Sequence, residues 1–234
     1  MVSSVKGADA PVFGVCRLDN IWFVLYNISR DFTTPICGKR KERHSMKVIH
    51  LISGGDSGGA KTHVLSLLQH LNQTITAQLV CFRDGLFAEE ARQMGIPTMI
   101  CGGNNVFRTR RKLAAYIREG GYEIIHCHGS RANMIGAMLR KVTGLPVVTT
   151  VHSDYRLDYM GRPLSHLTFG TINALALRRL DYRIGVSDAM VDLLISRGFP
   201  ADRFYTIYNG IDFTPPPTQG DRLEYLRSLG ADVD

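Results

Sequence analysis

A glycine-rich turn between a strand and a helix is the part of this 234-residue sequence best suited to chemistry. Residues 53–59 read Ser-Gly-Gly-Asp-Ser-Gly-Gly; they follow the apolar run 47–52 and precede a helix predicted to begin at Ala60. Glycines let the backbone approach a ligand closely, and the free N–H groups at a helix start attract anions. The turn therefore predicts a site for a phosphate-bearing ligand. The alternative is a turn that needs glycine only for tightness.

The spacing of the glycines separates two kinds of phosphate loop. The dinucleotide pattern G-x-G-x-x-G fails, because Asp56 stands where its second glycine is needed. The ATPase pattern G-x-x-x-x-G-K-T is closer, since residues 55–62 match it except for Ala60 at the last glycine. No later strand offers four apolar residues followed by the Asp that would hold Mg²⁺. A degenerate P-loop nucleotidase is therefore only a weak hypothesis.

Polar side chains gather where the later predicted strands end. The carboxyl ends of parallel strands share one edge of a sheet, so these groups are expected to line one cleft. His126 and His128 point to the same side of their strand, yet no third ligand with suitable spacing accompanies them, so no metal site is predicted. The cleft residues expected from strand ends are His126, His128, Arg131, His152, Ser153, Tyr155, Ser187 and Asn209.

The strands and helices that would position these residues alternate from Met46 onward. Apolar residues recur at helical spacing between Val64 and Leu71, and 146–151 is the unbroken apolar or β-branched run of a strand buried on both faces. Alternation predicts an α/β fold with a doubly wound parallel sheet of the Rossmann-like type. Strands are predicted at 47–52, 77–82, 97–101, 122–127, 146–151, 182–186 and 204–208, and helices from Ala60, at 86–94, 108–119, 131–143 and 164–180, and after the Ser187 cap.

Composition limits the class of partner. The chain is 44% hydrophobic and carries a formal net charge of +7, a surplus that suits anionic ligands but is too diffuse to indicate nucleic acid. Five cysteines, an odd number without a C-x-x-C pair, favour a reducing compartment. The longest early apolar run, 21–26, is far too short to cross a membrane. We therefore expect a cytoplasmic protein.

One predicted helix carries an unusual density of positive charge. Arg108, Arg110, Arg111 and Lys112 place four cations within five positions of the segment 107–118. Each cation near an anionic lipid surface contributes about 1 kcal/mol to binding. The pattern predicts a peripheral contact with the inner face of the membrane. The alternative is an ordinary solvated helix.

The chain divides into three parts by pattern. Residues 1–45 lack sustained periodicity and close with the basic cluster 39–43, so they are predicted to be a poorly structured extension or to follow a mis-assigned start. Residues 46–214 form the expected domain. The three prolines at 215–217 indicate a linker, and 215–234 is predicted to hold that linker and the start of a further domain.

Five short motifs stand in a characteristic order: Gly58-Gly59-Ala60-Lys61-Thr62-His63-Val64, Ile125-His126-Cys127-His128-Gly129, Thr150-Val151-His152-Ser153, Val186-Ser187-Asp188-Ala189-Met190 and Asn209-Gly210-Ile211-Asp212. Together they resemble the N-terminal, acceptor-side half of a family 4 glycosyltransferase with the GT-B architecture, over about residues 46–218. The resemblance implies transfer of a sugar from a nucleotide-sugar to a sugar or lipid-linked acceptor with retained configuration, in polysaccharide or glycolipid biosynthesis. It implies no cofactor, because the nucleotide-sugar is a co-substrate.

The resemblance also implies roles for single residues. Gly58 and Gly59 would contact the donor diphosphate, and His152 would line the reaction centre as the catalytic residue. An imidazole can donate a hydrogen bond to a sugar hydroxyl or accept one near neutral pH, and a strand end would hold it rigidly. Lys61 and Thr62 join the strand-end residues as acceptor or cleft positions.

Members of this family carry a second α/β domain with two glutamates in E-x7-E spacing. No such pair follows Pro217 in this sequence. The chain is therefore expected to represent a truncated, N-terminal half that lacks the C-terminal GT-B domain. Two other hypotheses stay open: a non-catalytic module that binds a phosphorylated ligand or depends on a partner, and the degenerate P-loop nucleotidase.

Overall fold

Seven β-strands and six longer α-helices alternate along the chain in a computed structural model, which describes residues 24–28, 46–55, 59–103, 105–156, 170–209, 224 and 226–228. The strands are β1 (Lys47–Ile52), β2 (Thr76–Cys81), β3 (Thr98–Ile100), β4 (Ile124–His128), β5 (Val147–Val151), β6 (Tyr182–Gly185) and β7 (Phe204–Thr206). The helices are α1 (Gly59–Leu71), α2 (Leu86–Gln93), α3 (Val106–Gly120), α4 (Ser130–Thr143), α5 (Thr171–Arg179) and α6 (Asp188–Ser196).

All seven strands pair in parallel in one sheet, in the order β3-β2-β1-β4-β5-β6-β7. The chain therefore winds outward from β1 to one edge, returns to the centre at β4, and winds outward to the other edge. The predicted doubly wound α/β fold is confirmed. The reversal of winding between β1 and β4 creates the crevice in which such sheets bind ligands.

The element boundaries follow the hydrophobic pattern closely, with one informative shift. The fourth strand was expected at 122–127 and runs instead from Ile124 to His128. Tyr122 resembles a strand residue in sequence, but its hydroxyl lies 3.3 Å from that of Tyr116 on α3, so its ring belongs to the turn. The helix expected at 164–180 is described only over Thr171–Arg179, and its first part lies outside the described residues.

The sheet is covered on both faces because alternate strand residues point to opposite sides. On one face, Val48 and Ile52 pack with the apolar stripe of α1 and with α2. On the other, Ile49 and Leu51 pack with α3 and α4. The predicted inward face of α1 is confirmed, since Val64, Leu67, Leu68 and Leu71 are all buried.

A short helical segment, residues 24–28, also contributes to the first core. Val24, Leu25 and Ile28 are buried among the residues of β1, β2 and α1. These five residues therefore differ from the expectation of a poorly structured extension, and the rest of 1–45 lies outside the described residues. The apolar run 21–26 shows no clear period of 3.6, so the sequence gave no helical signal by which to predict this packing.

Two glycines are required by close approaches near the crevice. Gly54, directly after β1, has φ +86°, and a Cβ on it would lie 2.5 Å from the carbonyl oxygen of Arg83. Gly136 on α4 lets that helix rest on β4, because a Cβ there would lie 2.4 Å from Sγ of Cys127. Both glycines bring backbone close to the sheet beside the β1–β4 crevice.

Three cysteine thiols are buried in the sheet region: Cys81, Cys101 and Cys127. Their burial agrees with the prediction that they act as small apolar side chains. Within the described residues, no helix combines the length and the apolar character that crossing a bilayer requires.

Candidate functional site

A cavity of about 580 Å³ opens at the carboxyl ends of β1, β4 and β5, where the winding of the sheet reverses. Its walls come from the turn after β1, the start of α4, the segment after β5, and α5. The lining residues are Ile52, Ser53, Gly55, Ala60, His128, Gly129, Ser130, Arg131, Asn133, Thr150, Val151, His152, Ser153, Tyr155, Asn173 and Leu177.

Five of the residues expected at the cleft line this cavity: His128, Arg131, His152, Ser153 and Tyr155. They follow β4 and β5, the two strands whose carboxyl ends flank the crevice together with β1. These five residues therefore meet at one cavity at the carboxyl ends of the strands, and their part in ligand binding stays a prediction.

Other expected residues lie elsewhere. Lys61 forms an ion pair with Glu90 of α2, so its ammonium group is directed away from the cavity. Ser187 caps α6, where its Oγ accepts a hydrogen bond from the backbone N–H of Met190 at 3.2 Å. Gly59, Thr62, His126 and Asn209 are also absent from the cavity lining, and Gly58 lies outside the described residues.

Two helix N-termini border the cavity. Ala60 lies in the first turn of α1, and Ser130 and Arg131 lie in the first turn of α4; all three line the cavity. Neither helix has an acidic residue in its first turn, so no carboxylate of that turn neutralises the positive end of the helix dipole. Two positive helix ends beside one cavity favour an anionic ligand.

Arg131 adds a full positive charge to this border. Its Nη2 donates a hydrogen bond to the carbonyl oxygen of Gly103 at 3.1 Å, and its guanidinium lies 5.4 Å from the centre of the Phe82 ring. These two contacts orient the side chain without neutralising it. A guanidinium fixed in this way can bind a phosphate with two parallel hydrogen bonds.

His152 lies in the segment after β5, beside a second histidine. Its ring is 5.0 Å from the ring of His63 on α1, in an edge-on arrangement, and 6.0 Å from the ring of His128. Burial, together with the nearby His63, lowers the pKa of His152 to about 4 from its ordinary value of 6.5. Its Nε2 is buried and has no hydrogen-bond partner among the described residues. His152 is therefore a neutral imidazole at neutral pH, suited to hydrogen bonding with a hydroxyl group.

Beneath the cavity, three histidines lie on one face of the sheet. His50 of β1 pairs in register with His126 of β4, and His128 follows two residues later on the same side. The ring of His126 lies 4.7 Å from that of His50 and 4.3 Å from that of His128. Burial lowers the pKa of each of the three rings well below 6.5. We call His50, His126 and His128 the histidine cluster.

A buried polar chain on the other side of the cavity was not predicted from the sequence. Thr149 donates from Oγ1 to Oδ1 of Asn133 at 2.7 Å, and Asn133 donates from Nδ2 to Oδ1 of Asn173 at 3.1 Å. Asn133 and Asn173 both line the cavity. The only signal in sequence was an asparagine on an otherwise apolar face of each helix.

The segment that carries Ser153 and Tyr155 is held by an ion pair. The carboxylate of Asp154 binds the guanidinium of Arg197, which follows α6, with Oδ2 of Asp154 2.6 Å from Nη2 of Arg197. The hydrogen bonds from Arg197 hold the pKa of Asp154 below its ordinary value. The ring of Tyr155 packs edge-on against Phe199. These contacts fix the wall of the cavity opposite the glycine turn.

The predicted basic helix is confirmed as amphipathic α3, with Thr109, Leu113, Ala114 and Ile117 buried. Arg108, Arg111 and Lys112 are exposed and Arg110 is half-buried. The exposed ring of Phe107 lies 5.7 Å from the guanidinium carbon of Arg110. Contact of this surface with a membrane stays a prediction.

Several solved structures have the fold of this chain over about half of their own length. Anabaena HepE in complex with UDP-glucose is 22% identical, with a TM-score of 0.64 over 79% of this chain and 50% of that chain. A glycosyltransferase from Rickettsia africae is 14% identical, with a TM-score of 0.63 over 82% and 51%. The lipopolysaccharide outer core galactosyltransferase WaaB in its apo form is 17% identical, with a TM-score of 0.53 over 74% and 50%. This chain thus spans about half the length of these structures.

Comparison of sequences identifies a family, whereas the likeness to solved structures identifies only the fold. No match was found among curated proteins. A family description, Glycosyltransferase Family 4, matches residues 57–214, which is more than half of the chain and includes every residue that lines the cavity beyond the turn after β1. The protein therefore belongs to glycosyltransferase family 4, and its described part has the fold of one half of a GT-B enzyme.

Proposed function

We propose that this chain supplies the acceptor-side half of a retaining glycosyltransferase that uses a nucleotide-sugar donor. The observation that carries the proposal is the cavity at the β1–β4 crevice, where two positive helix ends and Arg131 meet the neutral imidazole of His152. A nucleotide-sugar has the matching chemistry, a diphosphate joined to a group rich in hydroxyls. The structures of HepE with UDP and UDP-glucose provide a precedent for this fold.

The roles of the residues follow from their positions. The N–H groups at the start of α1 and the guanidinium of Arg131 would bind the diphosphate and stabilise the charge that develops as it departs. His152 would hold a hydroxyl of the transferred sugar. Ser153 and Tyr155, on the wall fixed by the Asp154–Arg197 pair, would contact the acceptor.

One face of a cleft supplies only part of the binding energy of a donor. Hydrogen bonds from the helix start and from Arg131 each contribute a net ~1.5–3 kcal/mol to binding of a charged phosphate. Loss of translational and rotational freedom on association opposes binding by ~4–15 kcal/mol. We therefore propose that transfer needs an opposing GT-B half, and that the chain by itself binds nucleotide-sugars with millimolar or weaker affinity.

The proposal is tested by calorimetric titration of the chain with UDP, UDP-glucose and other nucleotide-sugars, followed by fusion to the half of Anabaena HepE that it does not cover. We expect millimolar or undetectable affinity for the chain alone and at least a tenfold gain for the fusion. Turnover of the fusion, including hydrolysis of the donor, is expected to fall about 10²–10⁴-fold in His152→Ala.

His70→Ala is the matched control, because His70 lies in the last turn of α1, outside the cavity lining. It is expected to leave turnover unchanged. Micromolar binding to the chain alone would contradict the need for a second half. Equal turnover in His152→Ala and the parent fusion would contradict the role of His152.

A further inference from the structure

We propose that the histidine cluster, formed by His50, His126 and His128, binds a divalent transition-metal ion of the Zn²⁺ class. Three imidazoles are the ligand set of zinc sites that keep a fourth position for water or substrate. The sequence analysis predicted no metal site because a third ligand for His126 and His128 could not be identified. The register of β1 against β4 supplies it, since it places His50 directly beside His126.

The distances between the nitrogens are close to those of such a site. One nitrogen from each ring can be chosen so that all three lie within 4.8 Å of one another. Nδ1 of His50 and Nε2 of His128 are 3.2 Å apart and share a hydrogen bond, which an ion bound between them would replace. Ligands at 2.0–2.1 Å from a tetrahedral ion are separated by about 3.4 Å. One pair therefore already has the required spacing, and the widest pair needs to close by at most about 1.4 Å.

Without an ion, the cluster leaves several polar atoms unsatisfied. Among the described residues, Nε2 of His50, Nδ1 of His126 and Nδ1 of His128 are buried without a hydrogen-bond partner, and the three side chains are at most 2% exposed. A buried polar nitrogen without a partner destabilises the fold by ~1–3 kcal/mol. Each of the three rings thus keeps one nitrogen that the fold itself does not satisfy.

Thr150 supports the ligand role of His126. Its Oγ1 lies 2.8 Å from Nε2 of His126, which leaves Nδ1 as the unpartnered nitrogen of that ring. A ligating histidine commonly donates its second N–H to a nearby acceptor, which fixes the tautomer and the ring orientation. Oγ1 of Thr150 is placed to be that acceptor when His126 carries its proton on Nε2. Thr150 also lines the cavity and stands opposite His128 in the β4–β5 register.

The chemistry of the cluster selects the kind of ion. Each of the three buried side chains offers an ion one imidazole nitrogen. No carboxylate belongs to the cluster in the described part of the chain, which excludes the oxygen-rich sets preferred by Mg²⁺ and Ca²⁺. Imidazole ligands suit Zn²⁺, Ni²⁺ and Cu²⁺. Because His128 lines the cavity, an ion on the cluster would lie beside its floor.

The inference does not depend on the proposed function and is tested by metal binding itself. The full chain is treated with a chelator, desalted and titrated with Co²⁺, which reports nitrogen ligands by its visible absorption. We expect one Co²⁺ per chain, displaced by Zn²⁺, without the charge-transfer band that thiolate ligands produce. Absence of cobalt absorption, with no metal retained after desalting, would mean that the cluster is only a polar core, and would overturn the proposal.

Three variants locate the ion. His126→Gln is expected to abolish cobalt binding, Thr150→Val to weaken it about 10–100-fold, and His70→Gln to leave it unchanged. Thr150→Val preserves side-chain volume and keeps all three ligands, so it remains informative even where His126→Gln fails to fold. Equal cobalt affinity in the parent chain and in both cluster variants would place the ion elsewhere on the chain and overturn the proposal.

Discussion

The buried polar groups at the two ends of the parallel sheet differ in how completely they are hydrogen-bonded. At the amino-terminal end, Asp181 precedes β6, accepts hydrogen bonds from Nε of Arg140 at 2.8 Å, and accepts the backbone N–H of Val147 at 3.0 Å. At the carboxyl-terminal end, the histidine cluster and its neighbours His63 and His152 leave one nitrogen per ring without a partner. Five of the seven unpartnered buried side-chain atoms in the described residues belong to these histidines.

This difference indicates that the amino-terminal end contributes mainly to stability and the carboxyl-terminal end mainly to ligand binding. A buried carboxylate that is fully paired stabilises the joint between α4, β5 and β6. Unpartnered imidazoles destabilise the folded chain, and are retained in proteins where a ligand satisfies them. The carboxyl-terminal end should therefore respond strongly to pH and to ligands, and the amino-terminal end to mutation of its ion pair. Each prediction below would sharpen or break this contrast.

The largest effect is expected from acid. The pKa values of His63 and His152 are lowered to about 4 in the folded chain, so the unfolded chain takes up protons first as pH falls below about 6.5. The part of the free energy of unfolding that depends on keeping these two imidazoles neutral is present above about pH 6.5. It is lost progressively between pH 6.5 and 4. From pH 7.5 to 5.5, each of these two imidazoles should reduce the free energy of unfolding by about 1.3 kcal/mol.

Urea denaturation in the presence of a chelator measures this change. His63→Asn should remove part of the pH dependence, and His70→Asn should retain it in full. The same free energy of unfolding at pH 7.5 and 5.5 would show that the imidazoles are not held neutral, and the contrast between the two ends would fail.

A smaller effect is expected from the amino-terminal ion pair. Asp181→Ala removes a carboxylate that is 6% exposed and leaves the N–H of Val147 without its acceptor, so the free energy of unfolding should fall by about 2 kcal/mol. The ligand-binding properties of the cavity should not change. Thermal and urea denaturation at neutral pH measure the loss.

Asp202→Ala is the matched control, because Asp202 is 74% exposed and its ion pair with Arg203 spans 3.6 Å. Exposed ion pairs contribute little to stability, so the change should stay below about 0.5 kcal/mol. Equal losses in Asp181→Ala and Asp202→Ala would mean that burial does not give the amino-terminal pair its strength.

The smallest effect is expected for the basic surface of α3. Sedimentation with anionic vesicles should decrease about fivefold for each neutralised charge in Arg108→Gln and Arg111→Gln, since each cation contributes ~1 kcal/mol near such a surface. The double variant Arg92→Gln/Arg203→Gln, which neutralises charges on other surfaces, should bind as the parent does. Equal sedimentation with neutral and anionic vesicles would remove the membrane hypothesis.

The fold could be predicted from the sequence because buried parallel strands have continuous apolar runs. The helices that cover them have apolar residues with a period of 3.6. The lining of the cavity could be predicted in part. His128, Arg131 and His152 line it because they end or follow strands β4 and β5 at the crevice, and their roles in binding stay predictions. Ser187 and Asn209 follow strands that lie farther from the crevice, and neither lines the cavity.

The residues that were missed depend on contacts between distant elements. His50 is a single polar residue inside an apolar strand, and its meaning appears only when the register brings it beside His126. Asn133 and Asn173 lie on different helices, so their contact depends on how α4 packs against α5. Lys61 was expected in the cleft from its place in the family motif, and its ion pair with Glu90 joins it to a helix that is distant in sequence. Sequence spacing does not encode these contacts.

The rates at which the three buried thiols are alkylated can report local opening of the sheet. Cys127 lies on the central strand β4 beneath α4, and burial raises its pKa, so a thiol reagent can modify it only when that region opens. Cys101 follows β3, an edge strand, where local opening costs less free energy. Alkylation of the native chain should therefore proceed from the edge inward. The lag between Cys101 and Cys127 would report how much more slowly the crevice opens than the edge of the sheet.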